Sequence, residues 1–165
     1  MDLTERARAL RLAVFDVDGV FTDGRLIYSP SGEELKVFHV RDGLGIKRLQ
    51  ASGVEIAIIS GRASAAVSLR MTELGVRHIF QGDHDKQPLM DQLLDQLDCT
   101  AEQVSFMGDD LPDLPVMRGV GLAACPADAV APVAEVCHWQ ARLDGGHGAV
   151  REFCEFVIQA RSAGP

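Results

Sequence analysis

Leu12-Ala13-Val14-Phe15-Asp16-Val17-Asp18-Gly19-Val20 is the stretch whose reading decides the fold. Four apolar residues suit a buried strand, and two carboxylates and a glycine follow at once. In a parallel α/β sheet, ligands bind just outside the carboxyl ends of the strands. Asp16 and Asp18 therefore fall where a site is expected. Two close acids repel unless a proton or a cation lies between them, and magnesium satisfies them with hard oxygen ligands. Taken alone, the same residues also describe a solvated acidic turn closed by Gly19.

Working outward, Val54–Ile59, His78–Phe80, Val104–Met107 and Val120–Ala123 read as further strands. Helical patterns lie between them. Gly43–Ser52 stops at Gly53, and Ser64–Leu74 stops at Gly75. Lys86–Leu97 sets Leu89, Met90, Leu93, Leu94 and Leu97 on one face, and Val150, Phe153, Cys154, Val157 and Ile158 form a late stripe. Alternating strands and helices predict an α/β fold, a doubly wound, Rossmann-like parallel sheet covered on both faces. Arg25–Val40 breaks the pattern and reads as an inserted β-hairpin around Ser29-Pro30-Ser31-Gly32. Ile27, Tyr28, Val37 and Phe38 put apolar groups on both its faces. Two strands alone are marginal in water, so the hairpin must pack on its own domain or on copies of itself.

The 165 residues fit one domain, 1–165, with a loose tail at about 160–165. A net charge of -8 argues against nucleic acid or an anionic membrane as the main partner, but not against a small anionic substrate met by a metal and local cations. Cys99, Cys125, Cys137 and Cys154 form no C-x-x-C pair and read as reduced thiols. Met1–Arg11 is charged and lacks an apolar h-region, so a cytoplasmic protein without a signal peptide is the expectation.

Three other strand ends carry complementary chemistry. Gly108-Asp109-Asp110-Leu111-Pro112-Asp113 adds three carboxylates. The dipole of a following helix explains Asp113 better than it explains Asp109 and Asp110. Ile58-Ile59-Ser60-Gly61-Arg62 offers a hydroxyl and backbone N–H groups at a helix start, a phosphate cradle or an ordinary cap. Lys86, in His84-Asp85-Lys86-Gln87-Pro88, supplies a cation after the third strand.

In this order, Asp-x-Asp, Ser, Lys and Gly-Asp-Asp-x-x-Asp resemble the haloacid dehalogenase superfamily of phosphotransferases over Leu12 to about Asp113. Asp16–Gly24, Gly32-Glu33-Glu34-Leu35-Lys36, Val40-Arg41-Asp42-Gly43 and Gly145–Glu152 extend the likeness to nearly the whole chain. They are similar to the branch that dephosphorylates 3-deoxy-D-manno-octulosonate 8-phosphate. That branch lacks a large cap domain, forms tetramers through the hairpin and serves lipopolysaccharide synthesis. Where it often has arginine, this chain has His147.

The resemblance implies Asp16 as nucleophile and Asp18 as general acid, then general base. It implies magnesium held by Asp16, the Asp18 carbonyl and Asp109, with Asp110 assisting, and phosphate oxygens bound by Ser60 and Lys86. Asp113 would orient Lys86 or its loop. Substrate contacts would fall on His39, Val40, Arg41, Asp42, Gly43, Lys47, Arg62 and Arg70 besides Asp18 and Lys86. Arginine matches the carboxylate of a keto sugar acid in a bidentate fork. His78, His84 and His138 receive no role. The competing expectations are a phosphatase for a nine-carbon nonulosonate 9-phosphate, a receiver-type phospho-acceptor and a non-catalytic oligomeric module. A receiver needs its aspartate at the end of the third strand, where this chain has Gln81-Gly82.

Overall fold

The computed structural model describes residues 1–162. Six strands form one parallel sheet: β1 (Leu12–Phe15), β4 (Glu55–Ser60), β5 (His78–Gln81), β6 (Val104–Met107), β7 (Leu122–Cys125) and β8 (Trp139–Gln140), in the order β5-β4-β1-β6-β7-β8. The remaining two, β2 (Ile27–Tyr28) and β3 (Glu34–Leu35), pair antiparallel as the expected hairpin, apart from the main sheet. The helices are α1 (Leu3–Ala9), α2 (Val40–Ala51), α3 (Ala65–Glu73), α4 (Lys86–Leu97), α5 (Leu114–Met117), α6 (Ala131–Val136) and α7 (Ala149–Ser162).

The two-residue period of a strand divides the core. Ala13, Phe15, Ile56 and Ile58 face α2, α3 and α7, where Ile46, Val67, Met71 and Phe153 meet them. Leu12, Val14, Ala57 and Ile59 face the other layer, with Met90, Leu93, Val116 and Val133. Each fully buried large aliphatic contributes about 1.5–3 kcal/mol relative to exposure. Phe15 sits edge-on to Phe21 and Phe153, with ring centroids 5.5 and 6.0 Å away, and so ties the base of the loop after β1 to α7.

β1 is central, and the chain leaves it toward β4 on one side and β6 on the other. This reversal of strand order opens a crevice above the carboxyl end of β1, where Asp16 stands. Asp16 N–H donates to the Met107 carbonyl at 2.9 Å, which locks the start of that loop to the neighbouring strand end.

Several expectations shift. α2 starts at Val40 rather than Gly43, because His39 caps it and its Nδ1 accepts the Arg41 N–H at 3.1 Å. Ala160–Ser162, expected in a loose tail, continue α7, where Ala160 is buried against the first core layer. The last three positions of that expected tail, 163–165, lie outside the described residues. α1, α6 and β8 were not anticipated.

Candidate active site

Four strand ends and the loops behind them meet in a cavity of about 230 Å³ lined by Asp16, Asp18, Ser60, Arg62, Lys86 and Asp109, among others. A larger hollow of about 520 Å³ lies at the opposite, amino ends of the strands. Its arginines are already engaged there: Arg77 pairs with Glu55, and Arg11 donates to the Asp98 carbonyl. The smaller cavity is the one that gathers the reactive groups.

The loop after β1 turns tightly because the N–H groups of Val20, Phe21 and Thr22 all donate to the Val17 carbonyl. Buried Thr22 accepts from the Gly19 and Gly24 N–H groups through Oγ1, at 3.3 and 3.2 Å. Gly19 has φ +82°, and a Cβ there would lie 2.0 Å from Asp109 Oδ2. Only glycine lets the two acidic loops close this far. Gly146 donates to the Val20 carbonyl at 3.0 Å, and Gly145 packs on the Gly19 carbonyl. The late Gly145–Glu152 motif thus buttresses the Asp16 loop from behind.

Lys86 is 3% exposed, although a lysine opening a helix usually reaches solvent. Its Nζ lies 2.9 Å from Asp16 Oδ2 and 2.6 Å from Asp113 Oδ1, over the face of Phe106. Burial works against its charge, but Asp16 and Asp113 outweigh that cost and hold its pKa above the ordinary lysine value. Asp113, 1% exposed, accepts the Asp109 and Asp110 N–H groups through Oδ2 at 3.0 and 3.3 Å. It therefore holds both the lysine and the acidic loop.

Asp16, Asp109 and Asp113 each offer a carboxylate oxygen within 4.8 Å of the others. Burial, then the charge of Asp113, pushes the Asp16 carboxyl up to about 6. Burial, then Asp16, Asp113 and Asp110, pushes Asp109 up to about 8. Asp109 Oδ1 is buried with no hydrogen-bond partner. A hard divalent cation between Asp16 and Asp109 would satisfy that oxygen and cancel the repulsion, so these residues fit magnesium. Both Asp113 oxygens are already engaged by Lys86 and the loop amides. The exposed Asp110 carboxylate accepts the Leu111 N–H at 2.7 Å as a helix cap, and so is placed to support the loop.

Ser60 is buried at the end of β4. Arg62 pairs with Glu34 of the hairpin, and its Nε lies 3.8 Å from Asp18 Oδ2. The other substrate candidates do not line this cavity. His39 caps α2, Val40, Arg41 and Lys47 are exposed, and Arg70 lies over Gly43 and pairs with Glu73 at 3.3 Å. Asp42 is buried, and its Oδ1 accepts the Arg151 N–H at 2.8 Å, which fastens α2 to α7.

Two further residues, one lining the cavity and one beside it, had no assigned role in the sequence. The His84 ring packs on Gly61, where a Cβ would come within 2.6 Å of Nδ1. Lys36 reaches Asp18 from the hairpin. His84 carries no sequence signal for its placement, and Lys36 stands in the Gly32–Lys36 motif without any pattern that points it at Asp18.

The chain is similar to known proteins over nearly its whole length. The chain is 44% identical over 160 residues to the 3-deoxy-D-manno-octulosonate 8-phosphate phosphatase KdsC of Yersinia pestis, which covers 97% of this chain and 86% of the relative. The solved structure of a putative HAD superfamily (subfamily III A) hydrolase from Legionella pneumophila superposes with a TM-score of 0.95 at 41% identity, over 97% of this chain and 88% of that one. The structure of 3-deoxy-D-manno-octulosonate 8-phosphate phosphatase from Moraxella catarrhalis, in complex with magnesium, phosphate and KDO, does so with a TM-score of 0.94 at 39% identity, over 96% and 91%. No family model matches the chain.

Proposed function

Because the chain belongs to the 3-deoxy-D-manno-octulosonate 8-phosphate phosphatase family of the haloacid dehalogenase superfamily, we propose that it removes phosphate from that eight-carbon sugar acid phosphate. It is a magnesium-dependent phosphoric monoester hydrolase. The observation that carries this reading is the convergence of Asp16, Ser60, Lys86 and Asp109 on one cavity.

Asp16 is the nucleophile. One carboxylate oxygen forms a bond to phosphorus as the phosphorus–sugar oxygen bond opposite it breaks. Asp18 gives its proton to the departing sugar oxygen, which leaves as the alcohol. Water then attacks the aspartyl phosphate, Asp18 takes back a proton, and inorganic phosphate departs from a restored Asp16. Ser60 and Lys86 bind the other phosphate oxygens where charge accumulates. Asp113 holds Lys86 at that position. Asp16, Asp109 and the Asp18 carbonyl, with Asp110 in support, would hold magnesium, which would supply the positive charge that offsets the anionic phosphate.

The hairpin supports a homotetramer. Leu26, Tyr28, Val37 and Val40 are 50–79% exposed, an apolar surface that another copy would cover. His39 and Arg41 adjoin Val40 at the start of α2, and Arg41 and Lys47 are exposed, so contacts from a neighbouring copy are the proposed route by which they serve the substrate. The chain is proposed to act as one domain, in the cytoplasm, in lipopolysaccharide synthesis. Among the described residues, no helix is long and apolar enough to cross a membrane.

The test is a panel of sugar phosphates ranked by kcat/KM, with and without EDTA. The eight-carbon 8-phosphate is expected to lead the nonulosonate 9-phosphate by tenfold or more. EDTA should stop turnover and magnesium should restore it. A nine-carbon preference would reassign the substrate. Stoichiometric phosphorylation without turnover would favour a receiver.

A further inference from the structure

We propose that Lys36, on the hairpin, is a positioning residue for the phosphatase reaction: it fixes the Asp18 carboxylate toward the leaving oxygen. This rests on the role given to Asp18 above.

The Lys36 side chain is only 3% exposed, unusual for a lysine in a two-stranded hairpin. Its Nζ lies 2.5 Å from Asp18 Oδ1 and 3.0 Å from Glu34 Oε1. Glu34 pairs in turn with Arg62, whose Nε faces the other Asp18 oxygen at 3.8 Å. The four charges form a ring, Asp18-Lys36-Glu34-Arg62, with two members on the hairpin and two on main-sheet strand ends.

A general acid must present one oxygen to the leaving group at hydrogen-bond range. An aspartate in a glycine-rich loop, 22% exposed as Asp18 is, can rotate away unless something holds it. Asp16 needs no such help, since Lys86 and the Val17 N–H already hold its two oxygens. For Asp18, the structure shows Lys36 and Arg62 in that place. Lys36 does this from an element whose exposed apolar face suits assembly, so the same hairpin serves both the subunit contact and the proton transfer.

Leaving-group chemistry separates this role from others. A sugar alkoxide leaves only if protonated, whereas p-nitrophenolate is a stable anion that leaves without a proton. Single-turnover rates isolate the first step from hydrolysis of the intermediate. Lys36→Met is expected to slow that step at least tenfold more for the sugar phosphate than for p-nitrophenyl phosphate, with KM for the sugar phosphate within about threefold of wild type. Lys36→Arg, which keeps the charge but alters the reach, should give an intermediate ratio. The ratio of the two losses is the readout, because partial unfolding scales both rates alike. Equal losses on both substrates in both variants would overturn the proposal, as would an effect confined to KM. Asp18→Asn serves as the reference. If it too lacks a leaving-group effect, the assignment of Asp18 fails. If Asp18→Asn shows the effect and the Lys36 variants do not, only the inference about Lys36 fails.

Discussion

The strand-end cluster and the hairpin with the start of α2 are built on opposite plans. Asp16, Lys86 and Asp113 are held by adjacent parallel strand ends and pay their desolvation cost through mutual contacts. The hairpin has two-residue strands and large apolar side chains facing solvent. The first region satisfies its charges within one chain, and the second leaves apolar side chains uncovered. The reactive groups are anchored to the sheet, while the surface proposed for assembly sits on a short insertion outside it.

Breaking the first region should have the largest effect. Asp16→Asn removes the nucleophile and is expected to lower kcat by roughly 10⁴-fold, measured as phosphate release. The fold should survive, with only a modest change in melting temperature, because relief of the repulsion with Asp113 is offset by the loss of one of the two carboxylates that hold buried Lys86. Asp113→Ala comes next. It strips Lys86 of one of its two partners and leaves the charge under-compensated, at a cost of about 3 kcal/mol in chemical denaturation.

A smaller effect links pH to metal. Asp16 and Asp109 are pushed from a starting value of 3.8 to about 6 and about 8, so between these values the folded state holds more protons than the unfolded one. Metal-free protein should therefore be most stable near the acid end of this range and lose stability as the pH rises through it. The expected fall is roughly 5 °C in melting temperature between pH 5 and 8, and magnesium should abolish it. A flat profile with EDTA would remove the carboxylate repulsion from the account. The smallest change in stability should come from Tyr28→Glu with Val37→Glu. Both sites are exposed, so the monomer's melting temperature should move by no more than about 2 °C while light scattering reports loss of the assembly.

The two regions were not equally legible in the sequence. β1, β4, β6 and α4 announce themselves by apolar runs and a helical stripe; Asp16, Ser60 and Asp109 stand at or just after the ends of such runs, and Lys86 opens α4. The resemblance implied that Asp113 orients Lys86 or its loop, and the structure has it contact both. β8 was not legible, since two residues, Trp139 and Gln140, are too few to show a period. α2's first turn was hidden because Val40 read as the end of the hairpin and Gly43 as the helix start; Gly43 and Gly45, poor helix formers, are there for close packing. A Cβ at Gly43 would meet the Arg70 guanidinium at 2.2 Å, and one at Gly45 would meet the Arg151 backbone at 3.0 Å. Lys36 was illegible for a different reason. Its burial depends on where a short hairpin folds back, a property of three-dimensional packing that no local pattern encodes.

The buttress of Gly145 and Gly146 behind the Asp16 loop bears on the order of folding. A chain emerging from the ribosome exposes every strand end of the site by Asp113, yet the support for Gly19 and Val20 lies more than a hundred residues after them. The nascent protein would hold its nucleophile early and lack the final loop geometry until synthesis is nearly done. Competence for turnover would thus arrive late and all at once, coupled to docking of the last helix rather than to formation of the central strands.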